Sequence, residues 1–238
     1  MLKSLFGYVN NFAERTTGLR LQPAADTRLD SSRKEILEKY STRLVIDVGA
    51  NRGQWVKRLR KVNYRGKVIS FEPSHAFQDL MSNASEDSLW EVRNIALGNF
   101  DGKRDLHISS NSQLSSSLLP PDQITNHRPD ISFGISELVS VSTLDRQLKQ
   151  NKEAFYLKID TQGSEMDVLR GGENVLNQCI AIEFESAIQP MYAGETLHYG
   201  IASWLLSKGF VAKQLVVTDW DINLNTIALD SIFVRGDQ

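Results

Sequence analysis

The sequence predicts an α/β fold: a mostly parallel sheet with helices on both faces and an antiparallel strand at its C-terminal end. Three observations predict it. Short apolar runs alternate with helical patterns from residue 44 onward, a glycine-containing turn follows the first run, and the last two runs form a closing pair of strands. Because parallel strands need crossovers that are usually helical, this alternation favours a Rossmann-like arrangement.

The predicted strands are short and apolar, as the buried strands of a parallel sheet are. They cover residues 44–48, 67–71, 90–95, 155–160 and 180–184, and the closing pair covers residues 211–217 and 226–234. Helical patterns follow the first strand and cover residues 168–176 and 201–206. After the second strand, Pro73 ends the strand and Ser74 is placed to cap the next helix.

The stretch that follows the third strand shows no clear helical pattern. Residues 98–108 predict a hairpin that turns at Asp101 and Gly102, since Asp-Gly favours two-residue hairpin loops. Residues 109–136 are rich in Ser, Asn and Pro and predict a long loop. Such loops are usually functional lids or disordered linkers, and residues 112–121 are candidates for closing over a bound ligand.

Composition indicates one globular domain. The 238 residues are 41% hydrophobic and 24% charged, which is typical of a chain that buries a sizeable core. We predict a domain over residues 41–238 and an N-terminal helical extension over residues 1–40. Residues 1–12 of that extension fit a short amphipathic helix, for which packing on its own domain is favoured over a lipid surface.

Several features indicate a cytoplasmic protein. No run approaches the roughly 18 apolar residues of a membrane span, and the N-terminus lacks the apolar block and cleavage site of a signal peptide. The single cysteine, Cys179, cannot form an internal disulfide, which favours a reducing compartment. A net charge of -2 provides no broad basic field, so nucleic acid is not an expected partner. The sequence does not decide between a monomer and an oligomer.

The most informative segment is DVGANRG, in which Asp47 precedes a turn that contains Gly49, Asn51 and Gly53. Glycines in the turn let a ligand approach the backbone closely. A dinucleotide-binding fingerprint would need glycines where this chain has Asn51 and, three residues further on, a glutamine. Pyrophosphate recognition is therefore disfavoured, whereas a carboxylate beside the turn suits a positively charged ligand.

A second acidic residue ends the next strand. Glu72, followed by Pro73, is placed to accept hydrogen bonds from ribose hydroxyls, although a solvated carboxylate at a strand end is the simpler alternative. Together with the glycine turn, the ribose role is favoured. Asn94 follows the third strand, where its amide serves either an adenine edge or the loop itself.

Six segments together resemble the FkbM family of methyltransferases that depend on S-adenosylmethionine (SAM), from about residue 43 to near the C-terminus. They are residues 45–53 (VIDVGANRG), 71–73 (FEP), 94–98 (NIALG), 157–165 (LKIDTQGSE), 168–172 (VLRGG) and 182–184 (IEF). The glycine turn is shared by many methyltransferases, whereas Lys-Ile-Asp followed by Gly-Ser-Glu is much more particular. The commoner family pattern has a glutamate where this chain has Gln162.

The resemblance implies a class I methyltransferase fold and SAM-dependent O-methylation, with a hydroxyl of a sugar, a glycan or another natural product as the acceptor. It also implies that Ala96, like Asn94, contacts the cosubstrate. Two alternatives stay open: an NAD(P)-dependent oxidoreductase on a related fold, which would also use Glu72, and a catalytically inactive methyltransferase-like binding protein. The presence of Asp47, Gly49 and Glu72 counts against the inactive protein.

Methyl transfer to a hydroxyl needs a group that takes the hydroxyl proton. Asp160, at the carboxyl end of the fourth strand, is our first candidate for this base. Lys158 points to the same face and Glu165 starts the next helix, so the three predict one charged cluster. The alternative is a structural ion pair of Lys158. Glu183 lies in an apolar strand and needs a partner, either Lys158 or the acceptor.

No metal ion is predicted. The four histidines show no metal-ligand spacing. A Mg²⁺ ion held by Asp160, Glu165 and Glu183 is a less favoured alternative. Two aromatic residues, Tyr192 and Trp204, are either part of an acceptor pocket or, as is more common, part of the core.

Overall fold

The computed structural model describes residues 25–221 and 225–236, with side chains described from residue 28. The strands in chain order are β1 (Leu44–Val48), β2 (Lys67–Phe71), β3 (Trp90–Arg93), β4 (Ala96–Gly98), β5 (Gly102–Ser109), β6 (Phe133–Thr143), β7 (Phe155–Ile159), β8 (Cys179–Ala187), β9 (Phe210–Trp220) and β10 (Thr226–Arg235). The α-helices are α1 (Ala25–Lys39), α2 (Gln54–Lys61), α3 (Phe77–Ala84), α4 (Ile124–His127), α5 (Leu144–Gln147), α6 (Glu165–Arg170) and α7 (His198–Ser207).

A seven-stranded sheet forms the centre of the molecule, in the order β3-β2-β1-β7-β8-β10-β9. Strands β3, β2, β1, β7 and β8 are parallel, and β10 runs antiparallel to both of its neighbours. The mostly parallel sheet with an antiparallel C-terminal strand is thus confirmed. Chain order reverses between β1 and β7, which creates the crevice where open α/β sheets bind ligands.

Side chains alternate along each strand and divide the core into two layers. Ile46, Val48 and Leu157 face the layer that α5, α6 and α7 cover. Val45 and Tyr156 face the opposite layer, which is covered by α1, α2 and α3. Helices therefore lie on both faces of the sheet, and every parallel strand except the edge strand β3 is buried along most of its length.

The predicted hairpin over residues 98–108 is wrong. Strand β4 pairs in parallel with β6, and β5 pairs antiparallel with the same strand, so β6 lies between them in a second, three-stranded sheet. Strand β6 begins inside the Ser-rich stretch predicted as a loop over residues 109–136, and the part that pairs with β4 lies beyond that stretch. Among the apolar residues of β6, only Val139 and Val141 are buried, whereas Ile135 and Leu138 are exposed, so these residues give a weak strand pattern.

Two smaller predictions also differ from the structure. The helix predicted over residues 168–176 is α6 followed by a separate 3₁₀ turn, Val175–Gln178. The break falls at Gly171, where a Cβ atom would lie 1.9 Å from the carbonyl oxygen of Gly98. Ser74 does not cap α3, because its Oγ accepts the N–H of Ala76 one residue before that helix begins.

Helix α1 packs directly on the central sheet. Its Leu29, Ile36 and Leu37 side chains are buried in the layer that also contains Val45. The division between an extension over residues 1–40 and a domain over residues 41–238 stays a prediction, and residues 1–24, which include the predicted amphipathic helix, lie outside the described residues. Among the helices that are described, none combines the length and apolar character needed to cross a bilayer.

Candidate active site

A cleft of about 1020 Å³, its open mouth included, lies at the carboxyl edge of β1, β2 and β7. Its walls come from the turn after β1, the end of β2, the start of β4, residues 113–118 and the loop after β7. Among the residues predicted to bind the ligand, the structure places these on the cleft wall: Gly49, Asn51, Glu72, Pro73 and Ala96.

The turn after β1 brings two loops into close contact. Gly49 has a φ of +76°, and a Cβ atom built on it would lie 1.8 Å from the carbonyl oxygen of Asp160. The N–H groups of Gly49 and Ala50 both donate to the Phe71 carbonyl oxygen at 3.0 Å. Glycine is therefore required for close packing of the cleft floor. Gly53 is not on the wall. The absence of a Cβ at Gly53 instead leaves room for the Trp90 ring.

The Glu72 carboxylate is held in place by backbone groups. Its Oε2 accepts the N–H of Asn51 at 2.7 Å, and its Oε1 accepts the N–H of Ser74 at 2.9 Å. Each carboxylate oxygen has a further lone pair, so Glu72 still has acceptor capacity toward the cleft that it lines. This arrangement fits the predicted interaction with two vicinal hydroxyls of a ribose.

Asp47 does not line the cleft, contrary to the contact predicted for it. It is fully buried beneath the turn, where its Oδ2 accepts the Ser70 hydroxyl at 2.8 Å and its Oδ1 lies 3.7 Å from Lys158 Nζ. Burial raises the pKa of Asp47, although Lys158 and the Ser70 hydroxyl act in the opposite direction. Asp47 is thus a buried ion-pair partner of Lys158.

Lys158 is buried at the junction of the two loops. Its Nζ lies 3.3 Å from Asp160 Oδ2 and donates to the Gly49 carbonyl oxygen at 3.4 Å. Burial alone would lower the pKa of Lys158, but Asp160 and Asp47 together raise it above its usual range. The predicted shared face of Lys158 and Asp160 is confirmed, and the charged amine is an ion-pair partner rather than a base.

The Glu165 side chain does not contact Lys158 and instead stabilises the loop between β7 and α6. Its Oε1 accepts the Thr161 N–H at 2.9 Å and the Gly163 N–H at 3.1 Å. The residue is 2% exposed, and this burial raises its pKa to about 7 despite the hydrogen bonds. A three-way ion cluster with Lys158 is therefore not formed.

Replacing Glu165 with glutamine is expected to flatten the pH dependence of stability. The carboxyl titrates near pH 7 when folded and near 4.5 when unfolded, so its contribution is complete below pH 4.5 and is lost as pH rises toward 7. This loss amounts to roughly 2–4 kcal/mol. Urea unfolding from pH 4.5 to 8 measures it. Glu173→Gln, which removes an exposed partner of Lys208, should leave the wild-type profile unchanged.

Glu183 has a different partner from the two that were predicted. Its carboxylate receives two hydrogen bonds from Arg33 of α1, at 2.8 and 2.6 Å, and one from the Tyr156 hydroxyl at 2.6 Å. Trp55 Nε1 donates to the same carboxylate at 3.1 Å. Although burial would raise the pKa of Glu183, Arg33 holds it below its usual range. Glu183 is thus a structural residue. The prediction that it contacts Lys158 or an acceptor is wrong, because Arg33 is its ion-pair partner.

The three carboxylates considered for Mg²⁺ lie in separate environments. Glu183 is occupied by Arg33, Glu165 by backbone N–H groups, and Asp160 by Lys158. Within residues 25–221 and 225–236, no group of three or more His, Cys, Asp or Glu side chains is arranged to hold a metal ion. Asp160, Glu165 and Glu183 therefore do not form the three-carboxylate set considered for Mg²⁺.

Asn94 is exposed and does not line the cleft. Its amide donates to the carbonyl oxygens of Glu72, at 2.9 Å, and of Pro73, at 3.3 Å. The second of its two predicted roles, satisfying the loop, is the one that the structure shows. Asn94 supports Glu72 from behind, and the wall itself continues with Ala96.

A second cleft of about 840 Å³ adjoins the first and shares Gln162 and Leu114 with it. Gln162 Nε2 donates to Asp160 Oδ1 at 2.9 Å and to Glu185 Oε2 at 2.8 Å. Tyr192 lines this second cleft, whereas Trp204 packs against the core. Glu185 was missed from the sequence because nothing in its strand pattern distinguishes it from a solvated residue.

Residues 112–118 stay close to both clefts. Asn51 Nδ2 donates to the Ser112 carbonyl oxygen at 3.4 Å, and the Gln113 side chain accepts the Ala76 N–H at 3.2 Å. Gln113 and Leu114 line the first cleft, and Leu114 is 51% exposed. The Ser-rich segment predicted as a lid therefore forms one wall of the cleft over the glycine turn.

Comparison with known proteins gives this architecture a family. The sequence profile described as the methyltransferase FkbM domain matches residues 47–212. The chain belongs to the FkbM methyltransferase family. A curated relative, the 2-O-methyltransferase NoeI of Sinorhizobium fredii (strain NBRC 101917 / NGR234), is 24% identical over 238 residues, which is 96% of this chain and 96% of that protein.

A solved structure shows the same fold for this FkbM-family protein. A methyltransferase FkbM from Methylobacillus flagellatus KT superposes with a TM-score of 0.50 and 16% identity. The match covers 80% of this chain but only 43% of that one, so this chain spans less than half the length of that protein. The magnesium protoporphyrin IX methyltransferase ChlM of Synechocystis PCC 6803, solved with bound SAM, gives a TM-score of 0.49 at 10% identity over 97% of both chains. The family match and the FkbM structure confirm the predicted class I methyltransferase fold.

Proposed function

We propose that this protein transfers a methyl group from SAM to a hydroxyl oxygen of a sugar, a glycan or another small natural product. The observation that supports the cosubstrate most directly is Glu72, held by two backbone N–H groups on the wall of a cleft whose floor is the Gly49 turn. Family membership supports methyl transfer. The relative described as a 2-O-methyltransferase supports oxygen as the acceptor atom.

Two features of the cleft support SAM as the ligand, the glycine turn and the Glu72 carboxylate. Any side chain at Gly49 would collide with the loop after β7, so glycine allows these two walls of the cleft to pack against each other. Glu72 would hold the ribose, and Asp160 contributes a second carboxylate to a wall that Lys158 and Arg58 also line. When bound, SAM supplies an electrophilic methyl group, and the protein's part is mainly to orient the acceptor oxygen against it.

Asp160 and Lys158 stay our proposed catalytic residues. Their ion pair lies at the boundary between the two clefts, where Gln162 also holds Asp160 Oδ1. Asp160 would accept a hydrogen bond from the acceptor hydroxyl and orient its oxygen. The second cleft, which contains the aromatic ring of Tyr192, is the proposed site for the acceptor.

Isothermal titration calorimetry with SAM tests the cosubstrate, and NADH is the competing ligand. We expect SAM to bind and NADH not to bind at the same concentration. Absence of SAM binding at millimolar concentration would remove the proposal. Transfer of label from SAM to a panel of hydroxylated acceptors then distinguishes an active enzyme from an inactive SAM-binding protein.

Glu72→Gln is expected to weaken SAM affinity about 10- to 100-fold, since hydrogen bonds to charged groups contribute roughly 1.5–3 kcal/mol. A ligand that lacks one ribose hydroxyl distinguishes loss of the ribose contact from a general structural effect of the substitution. Wild-type protein should bind S-adenosylhomocysteine more tightly than its 2′-deoxy analogue, and the variant should lose this preference. Glu91→Gln, which removes a surface partner of Lys67, is the matched control and should bind like wild type. An equal preference in wild type and Glu72→Gln contradicts the ribose role.

A further inference from the structure

The two clefts meet at a pair of carboxylates that share one amide. Gln162 Nε2 donates one hydrogen to Asp160, which lines the first cleft, and the other to Glu185, which lines the second. Nε2 lies 2.9 Å from Asp160 Oδ1 and 2.8 Å from Glu185 Oε2, so both hydrogens of the amide are donated. Ionisation of one carboxyl therefore changes how readily the other ionises.

Glu185 has carboxylates on several sides. Asp230 of β10 is its direct partner in the strand register, Asp160 follows β7, and Glu165 begins α6. The cations that line a cavity together with Glu185 each form an ion pair with another carboxylate. These pairs are Lys158 with Asp160, Arg33 with Glu183, Arg58 with Asp30 and Arg128 with Asp219. Glu185 takes part in no ion pair within the described residues. Burial, Asp160 and Asp230 raise the pKa of Glu185 well above its usual value.

Resting on the proposed function, we propose that Glu185 carries a proton in the free protein and releases it when the cationic cosubstrate binds beside Asp160. Glu185 and Asp230 are register partners on adjacent strands, and neither forms an ion pair within the described residues. Because like charges placed together disfavour ionisation, one carboxyl of the group stays neutral in the free protein. A sulfonium in the first cleft offsets the charge of Asp160 and removes part of that repulsion. The Glu185 carboxylate then ionises at the wall of the second cleft.

This coupling places a proton acceptor at the acceptor cleft only after the cosubstrate has bound. In the transfer step, the acceptor oxygen forms a bond to the methyl carbon, the carbon–sulfur bond breaks and its electron pair goes to sulfur. The hydroxyl proton moves to the Glu185 carboxylate, which later returns it to water. The reaction thus converts a sulfonium and a carboxylate into a thioether and a neutral acid, with no net change of charge.

Proton release on SAM binding measures the coupling without any acceptor. Calorimetric titrations at pH 7 in phosphate and in Tris, which differ in ionisation enthalpy, should show release of roughly half a proton or more per SAM. S-adenosylhomocysteine, which lacks the sulfonium charge, should release distinctly less. Glu185→Gln keeps an acceptor for Gln162 and should bind SAM without this release. Asp219→Asn, which removes a carboxylate of the same cleft that is paired with Arg128, should release as much as wild type.

Asp230→Asn is the second variant, because it removes a neighbour of Glu185 without touching Gln162. It should move the pH of maximal release downward while retaining release. Heats that do not depend on the buffer overturn the inference but leave SAM binding intact. Release that persists in Glu185→Gln and disappears in Asp230→Asn assigns the proton to Asp230 and also overturns it. Failure of SAM to bind overturns the proposed function, and this inference with it.

Discussion

Gly49→Ala is expected to abolish useful cosubstrate binding. An L-residue at a φ of +76° is strained by about 1–3 kcal/mol, and its Cβ would lie 1.8 Å from the Asp160 carbonyl oxygen. That atom belongs to the backbone, so the loop after β7 must move away from the turn after β1. Because both loops form walls of the cleft, we expect SAM affinity to fall at least about 100-fold, or roughly 2.7 kcal/mol.

Calorimetry with SAM and thermal unfolding measure the two consequences separately. Gly134→Ala is the matched control, since a Cβ at Gly134 would have no atom within 4 Å. It should bind SAM like wild type and unfold at nearly the same temperature. An affinity for Gly49→Ala within threefold of wild type would show that the turn is not the floor of the cosubstrate site.

Arg33→Met is expected to cause the largest loss of stability, about 3–5 kcal/mol. The side chains of Arg33 and Glu183 are 3% and 6% exposed, and removing the guanidinium leaves a buried carboxylate with only the Tyr156 and Trp55 donors. Desolvation that the ion pair had offset then acts against the folded state. Chemical denaturation monitored by circular dichroism gives the free energy of unfolding.

The neighbouring residue in α1 provides the control. Lys34 forms an ion pair with Glu38 in which both side chains are more than half exposed, so Lys34→Met should change stability by less than about 0.5 kcal/mol. Adding Glu183→Gln to Arg33→Met should recover more than half of the loss, because the uncompensated charge is removed. A double variant no more stable than Arg33→Met would show that packing of Arg33 on Trp55, rather than charge, dominates.

The glycine turn and Glu72, which form the proposed SAM site, were predictable because their requirements are local. A left-handed backbone conformation selects glycine, so the turn at Gly49 is visible in seven consecutive residues. A carboxylate directly after an apolar run marks a strand end, which identified Glu72. Strand alternation likewise placed Lys158 and Asp160 on one face, and their 3.3 Å contact confirms it.

The same reasoning was wrong where a local pattern had two solutions. Asp101 and Gly102 fit a hairpin turn, but the chain joins β4 and β5 to β6, whose pairing with β5 reaches residues 133–141. Asp47 was expected to face the ligand, yet it lies beneath the turn and contacts Ser70 and Lys158. In both cases the residue type was informative, but its partner lies on another segment.

The sequence by itself determined the α/β class, the parallel strands, the glycine turn and the acidic residue after β2, since each depends on neighbouring residues and on the periodicity of side chains along one element. Only the tertiary structure decided which buried charges meet. Arg33 reaches Glu183 across 150 residues of sequence, and Gln162 joins Asp160 to Glu185 at the boundary of two clefts. A buried carboxylate must find a donor or keep its proton, but the donor is chosen by how distant segments pack, and no local pattern records that choice.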